Sequence, residues 1–431
     1  MRAWSARIAF VVAVLGGCSS APASTVVPTS ASLPPPTPTN TATVAALPTR
    51  LSAEAWAEDL DTLDSGVREH HKSPFTVTPE ADWKEQLEYI KPLLADAGPD
   101  EQLVLLASLV GLLDTHSFLD TPEITNRYAL VLYGFADGWF VIGADDRSLV
   151  GRRLVSISGV ESAQVFDRLA PLVPHDNPTA QLSGVEWLIS SVEYLHGAGI
   201  VGDTETPEFV FESADHDQVT VNPGVMNAVA WEEHFRITGN LVGGSPEAVA
   251  RRVQQIWTRL YPEERTFLVA VNDYGDMSDA TAEMQAALED GDADRVVLDM
   301  RYLRGGNGDM SILDALISDP IDQPGVVTAL IGRENESIAT QVVFKLDTQS
   351  EALLVGEPTP ARANNFTCSC YEIVLPNSGY KVSVPRYKDY NIDERDAVDP
   401  DVFMPPVAAD FFAGRDPVLE AALSGDLPEG N

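Results

Sequence analysis

Three observations predict an α/β domain, with a mixed sheet flanked by helices, joined to a helical N-terminal subdomain and a small β-rich middle domain. From about residue 226 to the C-terminus, strand-like apolar runs alternate with helical periodicity, the pattern of a sheet covered by helices. From residue 51 to 125 apolar residues recur at helical spacing, and from 126 to 225 short apolar runs are broken by turn residues. A chain of 431 residues, 44% hydrophobic and 22% charged, is long and apolar enough to build such cores.

The elements follow in order. Arg2 and Arg7 precede the apolar run Ile8 to Leu15, which is too short to span a bilayer as a helix and ends in Leu15-Gly16-Gly17-Cys18. Residues 1–17 therefore read as a signal peptide, and small residues before a cysteine resemble a bacterial lipobox. That resemblance implies lipidation of Cys18 and a membrane anchor on an extracytoplasmic protein; the alternative is an ordinary cleaved signal peptide. Residues 18–50 are rich in Pro, Thr and Ser, cannot bury a core, and read as a disordered tether.

Ala53 to Arg68 places Trp56, Leu60, Leu63 and Val67 on one helical face, and Gln102 to Leu113 repeats the pattern. In the middle segment Tyr128 to Tyr133, Trp139 to Ile142 and Leu154 to Ile157 read as strands, with a helix over Glu161 to Leu172. In the last segment strands are expected at Thr266 to Val271, Arg295 to Met300, Val326 to Ile331 and Ala352 to Gly356. Helices are expected between them at Asp279 to Leu288, Met310 to Ile317 and Ser337 to Leu346. A net charge of −37 excludes electrostatic binding of nucleic acid or anionic lipid.

Ligands of such sheets bind beyond the carboxyl ends of the strands. Two turns lie there: Gly305-Gly306, and the segment ending in Ser337 at the start of a helix. Ser337 is suited to be an N-cap or, at a helix N-terminus with exposed N–H groups, a nucleophile. The two glycines fit a turn that needs positive φ or a close backbone approach to substrate. His116 is the best available base, since its ring titrates near neutral pH. His70 and His71 read as helix-end residues. Glu394 lies in an acidic segment and is able to orient a histidine. No spacing among the histidines supports a metal site, and no cofactor is expected. Cys368 and Cys370 fit either a tight disulfide or free thiols.

Together these pieces resemble the C-terminal-processing (tail-specific) serine peptidases, and more closely their tricorn-core-like branch. Asp299-Met300-Arg301-Tyr302-Leu303-Arg304-Gly305-Gly306 corresponds to the family's Asp-x-Arg-x-Asn-x-Gly-Gly turn, and Gly356-Glu357-Pro358-Thr359 to its Gly-Glu-x-Thr segment. Leu375-Pro376-Asn377-Ser378-Gly379 matches a family hairpin. Glu394 to Asp401 matches the closing motif, and Asp114-Thr115-His116-Ser117 the Asp-Gly-His-Thr segment. Gly151 to Val160 resembles part of a PDZ domain.

The resemblance implies Ser337 as nucleophile, His116 as base and Glu394 as its orienter. The N–H groups of Ile338 and of Gly305 or Gly306 would form the oxyanion hole. A peptide or protein would be the substrate, added as a strand beside the turn. Where a Ser–Lys branch would place its lysine this chain has Arg362, which cannot serve as a base. Three departures stand out: Leu303 for the family Asn, Thr115 for Gly, and Glu334 and Glu336 beside the serine, where negative charge opposes an oxyanion. A binding protein without turnover and an esterase using the same residues are the alternatives.

Overall fold

The computed structural model describes residues 50–120, 126–237, 254–306, 310–364, 366–367, 370–388 and 393–428. The signal segment, Cys18, the tether and Cys368 lie outside these residues. The central sheet has six strands in sequence order: Ile256–Tyr261, Thr266–Val271, Arg295–Asp299, Val327–Ile331, Leu353–Gly356 and Val402–Phe403. The first pair is antiparallel and every later pair is parallel. Thr266–Val271 is buried at every position, as expected of a strand covered on both faces. One apolar layer packs Met284, Leu298, Ile312, Ala329 and Val343 together, and a second packs Leu268, Val297, Leu330, Val418 and Leu419 on the other face.

The expected strands and helices of this segment appear within a few residues of the ends read from the sequence, including the helices Ser278–Glu289, Ser311–Leu316 and Ile338–Gln349. Three adjacent parallel strands end side by side. Asp299 leads into the Gly305-Gly306 turn, Ile331 into the segment before Ser337, and Gly356 into Glu357. Sheet topology alone therefore brings three sequence motifs to one edge.

Ahead of this sheet come helices Ala53–His70, Glu80–Leu94 and Pro99–Val110. An antiparallel sheet follows, pairing Leu130–Phe135, Gly138–Ala144, Arg153–Ile157, Phe209–Glu212 and Gln218–Val221 in that order. One apolar core runs through both, from Trp56, Leu63 and Leu106 to Leu130, Val141 and Phe209, and it includes Ile373, Val382 and Val384. Those last residues belong to the hairpin of Tyr371–Val374 and Lys381–Val384, whose second strand pairs with Phe118–Asp120. Buried Asp59 accepts the N–H groups of Asn377 and Ser378, each at 2.8 Å, and so fixes the hairpin tip. The strand beginning two residues after His116 is thus held by C-terminal chain. Among the described residues no helix is long and apolar enough to cross a membrane.

Candidate active site

Ser337 occupies the N-cap position of helix Ile338–Gln349 with φ 57° and ψ −122°, and its hydroxyl makes no capping hydrogen bond. The capping role open to it from sequence is therefore not the one it fills. A non-glycine residue in this region costs on the order of 1–3 kcal/mol and persists only where its surroundings enforce it. Here the turn connects a buried strand to a helix whose Ala339 and Val343 are fully buried. The conformation presents the serine at the helix N-terminus, beside backbone N–H groups and the positive end of the dipole.

Gly305 faces this serine. A Cβ placed on Gly305 would stand 2.7 Å from Ser337 Cβ and 3.5 Å from its Oγ, so only glycine permits the approach. Gly306 lies against the Tyr274 ring, where a Cβ would come within 3.1 Å. Ile338, the residue after the serine, is 38% exposed. The structure thus brings Ser337, Ile338 and the glycine turn together.

Asn335 joins the two loops. Its Oδ1 accepts the Gly332 N–H at 2.8 Å, and its Nδ2 donates to the carbonyls of Met300 (2.6 Å) and Leu303 (2.9 Å). It is fully buried. Leu303, the departure from the family Asn, is itself buried in the core and offers only its backbone here. Below the turn, Arg301 donates to Asp299 and Asp416, tying the strand end to helix Pro417–Ser424.

Of the acidic residues beside the serine, Glu334 is compensated. Glu334 is ion-paired with Arg304 of the glycine turn. Buried Arg333 pairs with Glu186 at 2.8 Å and Glu357 at 2.5 Å, and donates to the Gly134 carbonyl at 2.7 Å. One guanidinium serves two carboxylates. Burial, and the nearby charges of Glu334 and Glu357, push Glu186 up to about 7 against the pull of Arg333. A contact between the middle sheet and the serine loop is thereby built from charge. A second contact is aromatic, with Phe135 against Phe411 and Phe412 at 5.2 and 6.0 Å.

His116 is buried, in the loop after helix Pro99–Val110. Asp114 shapes this loop: its Oδ1 accepts the His116 backbone N–H at 2.8 Å and its Oδ2 accepts the Ser117 hydroxyl at 3.1 Å. Thr115 replaces the family glycine and puts its hydroxyl to use. It donates to the Pro360 carbonyl (3.3 Å) and accepts the Asp176 N–H (2.9 Å). Arg362, at the position of the family lysine, is buried and held by Asp176 at 3.2 Å and Asp396 at 3.3 Å. Burial, then the charge of Asp114, raises Asp176 to about 7 despite Arg362. A cleft is lined by Thr115 and Pro360 from this side, by Glu334 and Glu336 from the serine loop, and by Ala180 and Trp187 from helix Pro178–Leu188. The neighbours of His116 and Ser337 thus share one opening.

Glu394 lies at the surface. Its side chain is 70% exposed, accepts from Asn364 Nδ2 at 2.9 Å and lies 3.6 Å from Lys388 Nζ. Those are its contacts, and His116 is not among them. Cys370 is disulfide-bonded, and its sulfur lies 3.8 Å from the His116 carbonyl oxygen. Sequence reasoning missed Asn335, Arg333, Asp176 and the role of Asp114. Asp114 alone carried a signal, its position two residues before the histidine.

No family model matches the chain, and no curated protein matches it. Solved structures do. A serine-to-alanine mutant of CPAF matches with TM-score 0.61 and 12% identity, over 86% of this chain and 97% of that one. Mature CPAF complexed with lactacystin matches with TM-score 0.59 and 13% identity, over 87% and 98%. Mature CPAF matches with TM-score 0.56 and 13% identity, over 86% and 97%. At such identity the likeness shows the fold alone: this chain shares the fold of CPAF over most of both chains.

Proposed function

We propose that this protein is a serine peptidase that hydrolyses peptide bonds through an acyl-enzyme on Ser337. The observation that carries the reading is Ser337 itself: a left-handed, uncapping serine at a strand-to-helix turn, faced by a glycine whose Cβ would strike it. In this reading His116 takes the Ser337 proton as Oγ bonds to the substrate carbonyl carbon. The oxyanion is held by the N–H groups of Ile338 and of Gly305 or Gly306. His116 then gives its proton to the leaving amine as the C–N bond breaks. It next takes a proton from water as the water oxygen bonds to the acyl carbon, and returns that proton to Ser337 Oγ as the acyl–Oγ bond breaks. Glu394 is the proposed acidic partner of His116. The peptide lies as a strand beside the glycine turn.

The proposed organisation follows the sequence. Residues 51–125 form a helical subdomain, 126–225 a PDZ-like middle domain and 226–431 the catalytic domain. A tether over 18–50 runs to a lipid on Cys18 at an extracytoplasmic membrane face. Mass spectrometry of the N-terminal peptide tests the anchor: diacylated Cys18 supports it, and a cleaved, unmodified terminus overturns it.

The activity is tested with fluorescently labelled unfolded casein. Cleavage by the mature chain, lost in Ser337→Ala and His116→Ala, is the expected result. Cleavage that survives Ser337→Ala overturns the assignment. Turnover of p-nitrophenyl esters without any peptide cleavage selects the esterase. A second reading, a binding protein without turnover, is favoured by one observation: the contacts of Glu394 to Asn364 and Lys388 rather than to His116. Folded protein that binds casein without cutting it would select that reading.

A further inference from the structure

We infer that His71 is a positioning residue for the base, acting through Asp114; the inference rests on the reading of His116 as that base. His71 follows the first helix, with its backbone N–H bonded to the Val67 carbonyl at 3.0 Å. The next residue, Lys72, donates its N–H to the Pro385 carbonyl at 3.0 Å. The backbone that carries the His71 ring is therefore anchored at two successive residues, independently of the loop the ring meets. Its Nε2 lies 2.5 Å from Asp114 Oδ2, with both side chains buried, at 0% and 2% exposure. The Ser73 N–H donates to His71 Nδ1 at 3.0 Å. A nitrogen that accepts an N–H carries no proton, so the ring holds its proton on Nε2, facing the carboxylate.

The consequence is mechanical and electrostatic. A buried carboxylate is stable only while its oxygens are satisfied. Asp114 is satisfied by three donors: the His71 ring, the Ser117 hydroxyl and the His116 amide. The last of these fixes the backbone on which the base is carried. Removing the His71 donor frees Asp114 to rotate, and the His116 amide loses its fixed acceptor. The same carboxylate sets a negative charge beside the imidazolium that forms when His116 takes the serine proton. In this inference His71 acts through the carboxylate rather than on the substrate or the serine.

The test compares His71→Leu, which keeps bulk and removes the donor, with His71→Gln, whose Nε2 is able to reach Asp114. Two readouts are used on the full mature chain: the rate of Ser337 phosphonylation by a fluorophosphonate probe, and the histidine ring 1H–15N spectrum. Displacement of a catalytic group costs on the order of 100-fold per ångström, so His71→Leu is expected to slow labelling about 10- to 100-fold and His71→Gln to restore it to within about threefold. The His116 ring resonances are expected to shift in His71→Leu and not in His71→Gln. His71→Leu that folds and labels at the wild-type rate overturns the inference and leaves the peptidase reading intact. Wild-type protein that does not label overturns the peptidase reading; the spectra then decide the positioning role alone, unchanged His116 resonances in His71→Leu refuting it. Should His71→Leu not fold, Asp114→Asn takes its place, keeping an acceptor for the His116 amide without the charge. Slowed labelling or displaced His116 resonances support the role, and wild-type values in both overturn it.

Discussion

Adding one methyl group to Gly305 tests the site geometry at its tightest point. That carbon would lie 2.7 Å from Ser337 Cβ and 3.3 Å from the Glu336 carbonyl oxygen. Carbon–carbon contact is comfortable at about 3.5–4.0 Å, so relief requires a displacement of roughly 1 Å. Ser337 has little room to retreat, because its backbone is already at φ 57° and its helix packs Ala339 and Val343 into the core. Overpacking of this kind costs about 1–3 kcal/mol of stability, whereas a nucleophile moved by about 1 Å loses on the order of 100-fold in rate. Gly306→Ala is the control. Its methyl would meet only the Tyr274 ring at 3.1 Å, and a ring able to yield by a few tenths of an ångström absorbs that. The assay is the rate of fluorophosphonate labelling together with the melting midpoint. Gly305→Ala is expected to remain folded and lose about 100-fold in labelling, with Gly306→Ala losing less than about tenfold. Equal labelling by folded Gly305→Ala and wild type would refute the argument.

Three further predictions follow from buried polar contacts. Asn335→Leu leaves the Gly332 N–H and the Met300 and Leu303 carbonyls unsatisfied, and is expected to cost about 3–5 kcal/mol in urea denaturation. A loss under about 1 kcal/mol would show that the two loops hold without it. Glu186 is raised to about 7 when folded, so its contribution to stability is fully present below its ordinary value of 4.5 and is lost as pH rises through about 7. Glu186→Gln should therefore flatten the stability profile between pH 4.5 and 7.5 by up to about 3 kcal/mol, and parallel melting curves would contradict this. Arg362→Lys in a His116→Ala background should create no labelling, because residue 362 is committed to Asp176 and Asp396; labelling there would reveal a serine–lysine site.

Much of the sheet was legible because strand and helix alternate with distinct apolar periods, and parallel strands bury both faces. The Gly305-Gly306 turn and Ser337 could be placed at one sheet edge for the same reason. What escaped the sequence is polar and distant. His71 and Asp114 are 43 residues apart, and Arg362 and Asp176 are 186 apart. No period links such pairs, and His71 alone reads as a helix-end residue. Asn335 drew no attention because nothing local reveals that its amide is buried between two strand ends. Helix Glu80–Leu94 contains Pro92, which weakens its helical signal. The pairing of Glu334 with Arg304 could likewise be identified only once the two turns were seen to face each other.

The most direct test of the central claim is mass spectrometry of the mature chain after reaction with a fluorophosphonate. A single adduct is expected, mapped to Ser337 and absent from His116→Ala. Folded wild-type protein that carries no adduct, or carries it on another serine, would contradict it.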